Sequence, residues 1–115
     1  MSLRTYLREH RNPKQLNRIL DLMINGVEEI HSIMWVHRDL KPDNIMLNLD
    51  PLEVRVIDFD RAVPAFESTK GIVKGTGGYF PQASEWQNGS HKWDIWAVAA
   101  IICESDMPKD AYLKV

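Results

Sequence analysis

Cysteine occurs once in the 115 residues, at Cys103, so no internal disulfide can form and a reducing setting is the easier reading. Long apolar runs are missing as well. The longest, IWAVAAIIC at 95–103, falls far short of the ~20 residues that a membrane span needs. The first twenty residues carry scattered arginines and no apolar segment of the secretory kind, which points to an intracellular, cytoplasmic protein. An excess of one charge is lacking too. The net charge of −2 gives no reason to expect nucleic acid or an anionic membrane as partner. Internal repeats and low-complexity tracts are absent. What is present is ordinary: 44% apolar and 26% charged residues, enough for one small domain. Such a domain buries roughly two-thirds of the surface its unfolded chain exposes.

The first elements announce themselves. SLRTYLREH at 2–10 reads as a short helix with Leu3, Tyr6 and Leu7 on one side. Asn12 before Pro13, with Gln15 three residues on, forms a helix start with a capping-box partner. From there Leu16, Leu20, Met23, Val27 and Ile30 recur at spacings of four and three, one face of a helix of about five turns. Gly26 inside it should cost ~1 kcal/mol relative to alanine. Two β-like runs, IMLN (45–48) and VRVID (54–58), flank LDPLE, whose Asp50-Pro51 supplies turn chemistry for an antiparallel hairpin. Residues 59–92 show no sustained periodicity and read as a long loop. HKWDIWAVAAIICE at 91–104 is apolar nearly all round, which predicts a helix buried on every side, with Cys103 in the core.

Between the long helix and the hairpin lies VHRDLKPDNIML, residues 36–47. Three acidic side chains within twenty residues ordinarily mark a solvated surface. Here the spacing argues otherwise. A hairpin brings its ends together, so Asn44 and Asp58 should sit side by side. One amide and one carboxylate oxygen suit a hard cation such as Mg²⁺, which keeps phosphate and water in its other positions. Asp39 could then accept a proton from a hydroxyl attacking a metal-bound phosphate, with the Lys41 charge beside it. His10, His31 and His91 show no ligand spacing and read as surface or capping residues. Trp35, Trp86, Trp93 and Trp96 read as packing anchors, since no basic stripe accompanies them.

HRDLKPDN resembles the catalytic loop of eukaryotic protein kinases, and DFD (58–60) stands where that family carries Asp-Phe-Gly. The stretch GVEEIHSIMWVHRDLKPDNIML aligns without a gap to the end of a long helix, the loop and the following strand. GTGGY resembles the substrate-facing loop after the activation segment, and WDIWAV the start of the central helix. The likeness covers nearly the whole chain and implies an α+β, mainly α fold: a partial kinase C-lobe. Its parts would be a post-hinge helix (2–10), a long helix and its exit (13–35), catalytic loop and hairpin (36–58), activation segment (58–86) and central buried helix (91–104).

By this resemblance Asp39 would be the catalytic base and Lys41 the γ-phosphate contact, while Asn44 and Asp58 would hold Mg²⁺ and Met46 would floor the adenine of ATP. His37 and Phe59 would pack between helices and hairpin. Arg38 would pair with a phosphorylated activation-loop residue, Thr76 would brace Asp39 and Lys41, and Asp94 would bond the loop backbone. Lys41-Pro42 and Gly75-Thr76 point to Ser/Thr rather than Tyr specificity. Ser68 and Thr69 are weaker candidates for phosphorylation.

The pattern also breaks. Asp60 replaces a glycine, restricting positive φ and adding a like charge beside Asp58. The Ala-Pro-Glu signature is out of register, with Glu85 as a shifted substitute, and Ala99 replaces a helix glycine. A Gly-rich phosphate loop, a strand lysine and its glutamate partner do not occur in the 115 residues. The expectation is the lower half of a nucleotide cleft, inactive alone, whose partners are a protein substrate or a kinase chain. A competing expectation is a truncated pseudokinase that binds proteins through the Thr76 region and a bare apolar C-lobe helix. A third is a truncated product that barely folds.

Overall fold

The computed structural model describes residues 1–65 and 91–112. Helix α1 (Leu3–Glu9) is capped by Ser2, whose hydroxyl accepts from the Thr5 N–H at 3.1 Å. Its Leu3, Tyr6 and Leu7 are fully buried. Helix α2 (Pro13–Ser32) starts where the cap signals place it, with the Asn12 side chain accepting from the Gln15 N–H at 3.0 Å. The reciprocal half of the capping box is built differently. The Tyr6 hydroxyl takes the Asn12 N–H at 3.1 Å and lies 2.8 Å from Gln15 Oε1, so the phenol joins α1 to the start of α2. Burial pushes that phenol's pKa up.

On α2 the buried residues are Ile19, Met23, Val27 and Ile30, whereas Leu16 and Leu20 are only partly buried. The apolar stripe is therefore rotated slightly from the one the spacing suggests. Gly26 has a packing role: a Cβ there would meet Val56 Cγ2 at 3.4 Å. The helix thus lies close against the hairpin at the point where its backbone is least shielded.

That hairpin pairs β2 (Ile45–Leu49) with β3 (Leu52–Val56) antiparallel, with Ile45 opposite Val56 and Leu49 opposite Leu52. Asp50-Pro51 forms the turn through a cis peptide bond. The second strand stops at Val56, two residues short of the predicted end, because the chain turns into a left-handed conformation at Asp58 (φ 63°). A second ladder joins β1 (Trp35–Val36) to β4 (Val63–Pro64). Two-residue strands show no alternation, so the reading of 59–92 as continuous loop missed β4.

Helix α3 (His91–Ser105) buries Trp93, Asp94, Ala97, Ile101 and Ser105. It is not buried on every side: Ile95 is 59% exposed and Cys103 also faces outward. An all-round apolar sequence carries no directional information, so its pattern could not say which face would be covered. The short helix α4 (Lys109–Tyr112) returns to α1. Arg4 ties these pieces together. Its guanidinium meets Glu104 and the Tyr112 hydroxyl at 2.8 Å each and Asp43 at 3.2 Å. The core is one cluster drawn from α1, α2, β2, α3 and α4 around the loop residue Leu40. This is a small α+β unit of helices and short antiparallel strands, compatible with part of a kinase fold.

Candidate active site

The loop between β1 and β2 runs through the interior, which is unusual for a segment this polar. His37 is fully buried, while Arg38, Asp39 and Asn44 are nearly so. Buried polar groups require partners, and two of the backbone donors share one residue. Asp94, fully buried on α3, accepts the His37 N–H at 2.8 Å on Oδ2 and the Arg38 N–H at 2.9 Å on Oδ1. The Trp93 indole donates to the Arg38 carbonyl at 3.0 Å. One turn of α3 thus grips both the donors and an acceptor of the loop, and Arg38 is held at φ 72°.

His37 locks the next step. Its Nδ1 accepts the Asp39 N–H at 3.1 Å, which leaves Nε2 to donate to the Ile57 carbonyl at 2.8 Å. The amide can only donate, so this tautomer follows from chemistry. The ring also meets Phe59 edge-on, with centroids 5.0 Å apart. A single imidazole therefore links the loop to the segment that follows β3. Arg38 adds a second link, donating from Nε to the Arg61 carbonyl at 2.7 Å.

Asn44 closes the loop. Its Nδ2 donates to the Asp39 carbonyl at 2.8 Å and lies 3.5 Å from Asp39 Oδ2. Both neighbours are acceptors, so the amide nitrogen must face them, and Oδ1 is left as the side-chain acceptor. The Asn44 carbonyl takes the Ile57 N–H at 2.9 Å, which brings the backbone of Asn44 within one residue of Asp58. Asp58 is exposed, as is Asp60, whose N–H approaches Asp58 Oδ1 at 3.4 Å. Left-handed backbone falls on Asp58 and not on Asp60, so replacing glycine at position 60 imposes no φ strain in this conformation. Lys41 Nζ stands 4.0 Å from Asp39 Oδ2, at the outer limit of an ion pair. Met46 lies half-buried on β2, bridged to Ser2. Thr76, Ser68, Thr69, Gly75, Glu85 and Trp86 lie outside the described residues.

The structure thus brings Asp39, Lys41 and Asn44 into one cluster and sets the Asp58 backbone beside it. The family model for the protein kinase domain matches residues 1–112.

The chain belongs to the eukaryotic protein kinase family.

Curated kinases similar to it come from several branches. A mitogen-activated protein kinase p38b from Drosophila melanogaster is 37% identical over 83 residues, covering 71% of this chain and 22% of the relative. Mitogen-activated protein kinase 13 of Homo sapiens is 36% identical over 83 residues, again 71% of this chain and 22% of the relative. An Aurora kinase from Schizosaccharomyces pombe is 31% identical over 83 residues, 71% of this chain and 23% of the relative. The chain spans less than a quarter of the length of these kinases.

Sequence reasoning missed two features of this kinase segment. One is the Arg4 hub, invisible because its partners lie 39 to 108 residues away. The other is His31. Far from being an ordinary surface residue, it donates from Nε2 to Asp94 Oδ2 at 2.8 Å and stacks on His91 with centroids 4.3 Å apart. Burial, and then the neighbouring His31, lower the His91 pKa, with Asp94 opposing. The only hint was that both residues are histidines at element ends.

Proposed function

We propose that this chain carries the phosphotransfer loop of an ATP- and Mg²⁺-dependent protein Ser/Thr kinase, and that it forms the lower half of the nucleotide cleft. The observation that supports it best is the set of contacts from Asp94 through His37, Asp39 and Asn44 to the Ile57 backbone, which the His37 Nε2–Ile57 carbonyl bond closes into a ring next to Asp58. Such a ring fixes Asp39 and Asn44 before any substrate arrives, which is what positional catalysis needs. In this reading Asp39 accepts the proton of the attacking hydroxyl. Lys41, held near it, offers its charge to the transferred phosphoryl group.

The donor set fits a hard divalent cation: the Asn44 Oδ1 left over by its own hydrogen bonding and the Asp58 carboxylate are oxygen ligands of the right class. Bound there, Mg²⁺ would neutralise charge on the ATP phosphates. Met46 would face the adenine, and the Arg38 pocket would take a phosphorylated side chain.

Catalysis needs more than this half. An apolar groove of about 940 Å³ opens beside the site, lined by Ile30, Ile33, Trp35, Val54, Val56 and Phe59. We assign it to the rest of the kinase domain, since the matched relatives are more than four times longer than the aligned part. The chain alone then positions the loop without excluding water. With ATP–Mg²⁺ and a generic protein substrate it should give no turnover, and phosphate transfer should appear when the complementary upper lobe of a similar kinase is supplied. Nucleotide binding absent under both conditions would count against the kinase reading.

Asp60 beside Asp58 and the outward Ile95 and Ile102 favour a second reading, a pseudokinase segment that binds a partner protein through α3. Under it, Ile95→Asp would abolish capture of that partner while Asp39→Asn would not. Both readings place the protein inside the cell.

A further inference from the structure

Asp94 organises the loop, yet one of its two oxygens is shared. Oδ2 accepts both the His37 N–H at 2.8 Å and the His31 Nε2–H at 2.8 Å. His31 comes from the last turn of α2, so this bond also joins α2 to the start of α3. Behind His31, and almost parallel to it at 9°, lies the His91 ring from the first turn of α3. Two imidazoles at this separation stack well only while at most one of them is charged. A second proton would set like charges a few ångströms apart at a half-buried site, where the repulsion is poorly screened.

We propose that the His31–His91 stack is a proton-sensitive brace for the loop anchor: acidification opens the stack and loosens the Asp94 grip on the His37–Arg38 backbone. The titratable and charged groups acting on His91 include His31, from α2, and Asp94, on its own helix. The loop faces Asp94 with the His37 and Arg38 backbone N–H groups, and Arg38 directs its Nε to the Arg61 carbonyl. His31 keeps its bond to the carboxylate, so the ring displaced on protonation is His91.

The sign follows from linkage. The folded state holds the His91 proton less tightly than the unfolded chain does, because burial and the facing imidazole disfavour the cation. The contribution of His91 to stability is therefore complete above its unfolded pKa of about 6.5. It is lost as the pH falls from there through the lower folded value. The inference is independent of whether the loop transfers phosphate, since its readouts are structural.

The test compares thermal melts of the 115-residue chain and of His91→Phe between pH 7.5 and pH 5.5. Phenylalanine keeps an aromatic face on His31 and removes the titrating nitrogen. The melting midpoint of the unmutated chain should drop on acidification, and that of the variant should drop by less than half as much. Equal drops would overturn the proposal. Should the variant not fold, an NMR titration of the unmutated chain decides. The His37 and Arg38 amide signals should move with the same midpoint as the His91 ring protons. Amide signals that stay still while the ring titrates would refute the coupling.

Discussion

Asp94→Ala is expected to be the most damaging single substitution in the chain, lowering stability by about 3–5 kcal/mol. The reason lies in what the carboxylate leaves behind. The His37 and Arg38 N–H groups are buried against α3, and water cannot replace the two oxygens that now serve them. Each stranded donor costs ~1–3 kcal/mol, and the His31 bond disappears as well. Against a total of roughly 5–15 kcal/mol for a domain, this loss leaves much of the chain unfolded at room temperature. Asp94→Asn should be milder. It keeps an acceptor for one N–H but turns an NH₂ group on the other. Urea unfolding followed by far-ultraviolet circular dichroism gives the comparison, with the exposed Glu53→Gln on β3 as a control within ~0.5 kcal/mol of the parent. A small effect of Asp94→Ala would mean that the loop is held in some other way.

Asp39→Asn should have the largest effect on chemistry. In a complete cleft, turnover is expected to fall about 10²- to 10⁴-fold, the usual contribution of a positioned general base. The amide keeps the shape of the side chain and still meets Lys41 and Asn44, but it has no basic oxygen to take the hydroxyl proton. Steady-state kinetics should show the loss in kcat with the KM for ATP nearly unchanged, because Asp39 is assigned no contact with the nucleotide. A rise in KM with kcat preserved would move Asp39 from the reacting atoms to the binding of ATP.

Much of the scaffold could be read from local patterns because it is made by local interactions. Ser2, Asn12 and Pro13 act within a turn of their own positions, and β2 and β3 meet across a tight turn. The failures share one property: their causes lie far away in sequence. Tyr6 displaced Gln15 from the capping role because α1 folds back onto the start of α2. Trp35 and Val36 became a strand only through Val63 and Pro64. Cys103 sits on a helix whose apolar residues run all the way round, so composition placed it in the core when geometry did not. For the site, the residue types and their order stood out in HRDLKPDN, while the roles came from the resemblance alone. The His31–Asp94 bond spans 63 residues and two helix ends, and no periodicity points to it.

If the phosphotransfer reading holds, the amide of Asn44 and the carboxylate of Asp58, whose backbones the start of the hairpin brings close, grip a divalent ion beside Asp39. Paramagnetic Mn²⁺ added with a non-hydrolysable ATP analogue tests it directly by NMR. Selective broadening of the Asn44 side-chain amide and the Asp58 and Phe59 backbone amides is expected, reversed by excess Mg²⁺ and lost in Asp58→Ala. Broadening centred elsewhere, or unchanged in Asp58→Ala, would contradict it.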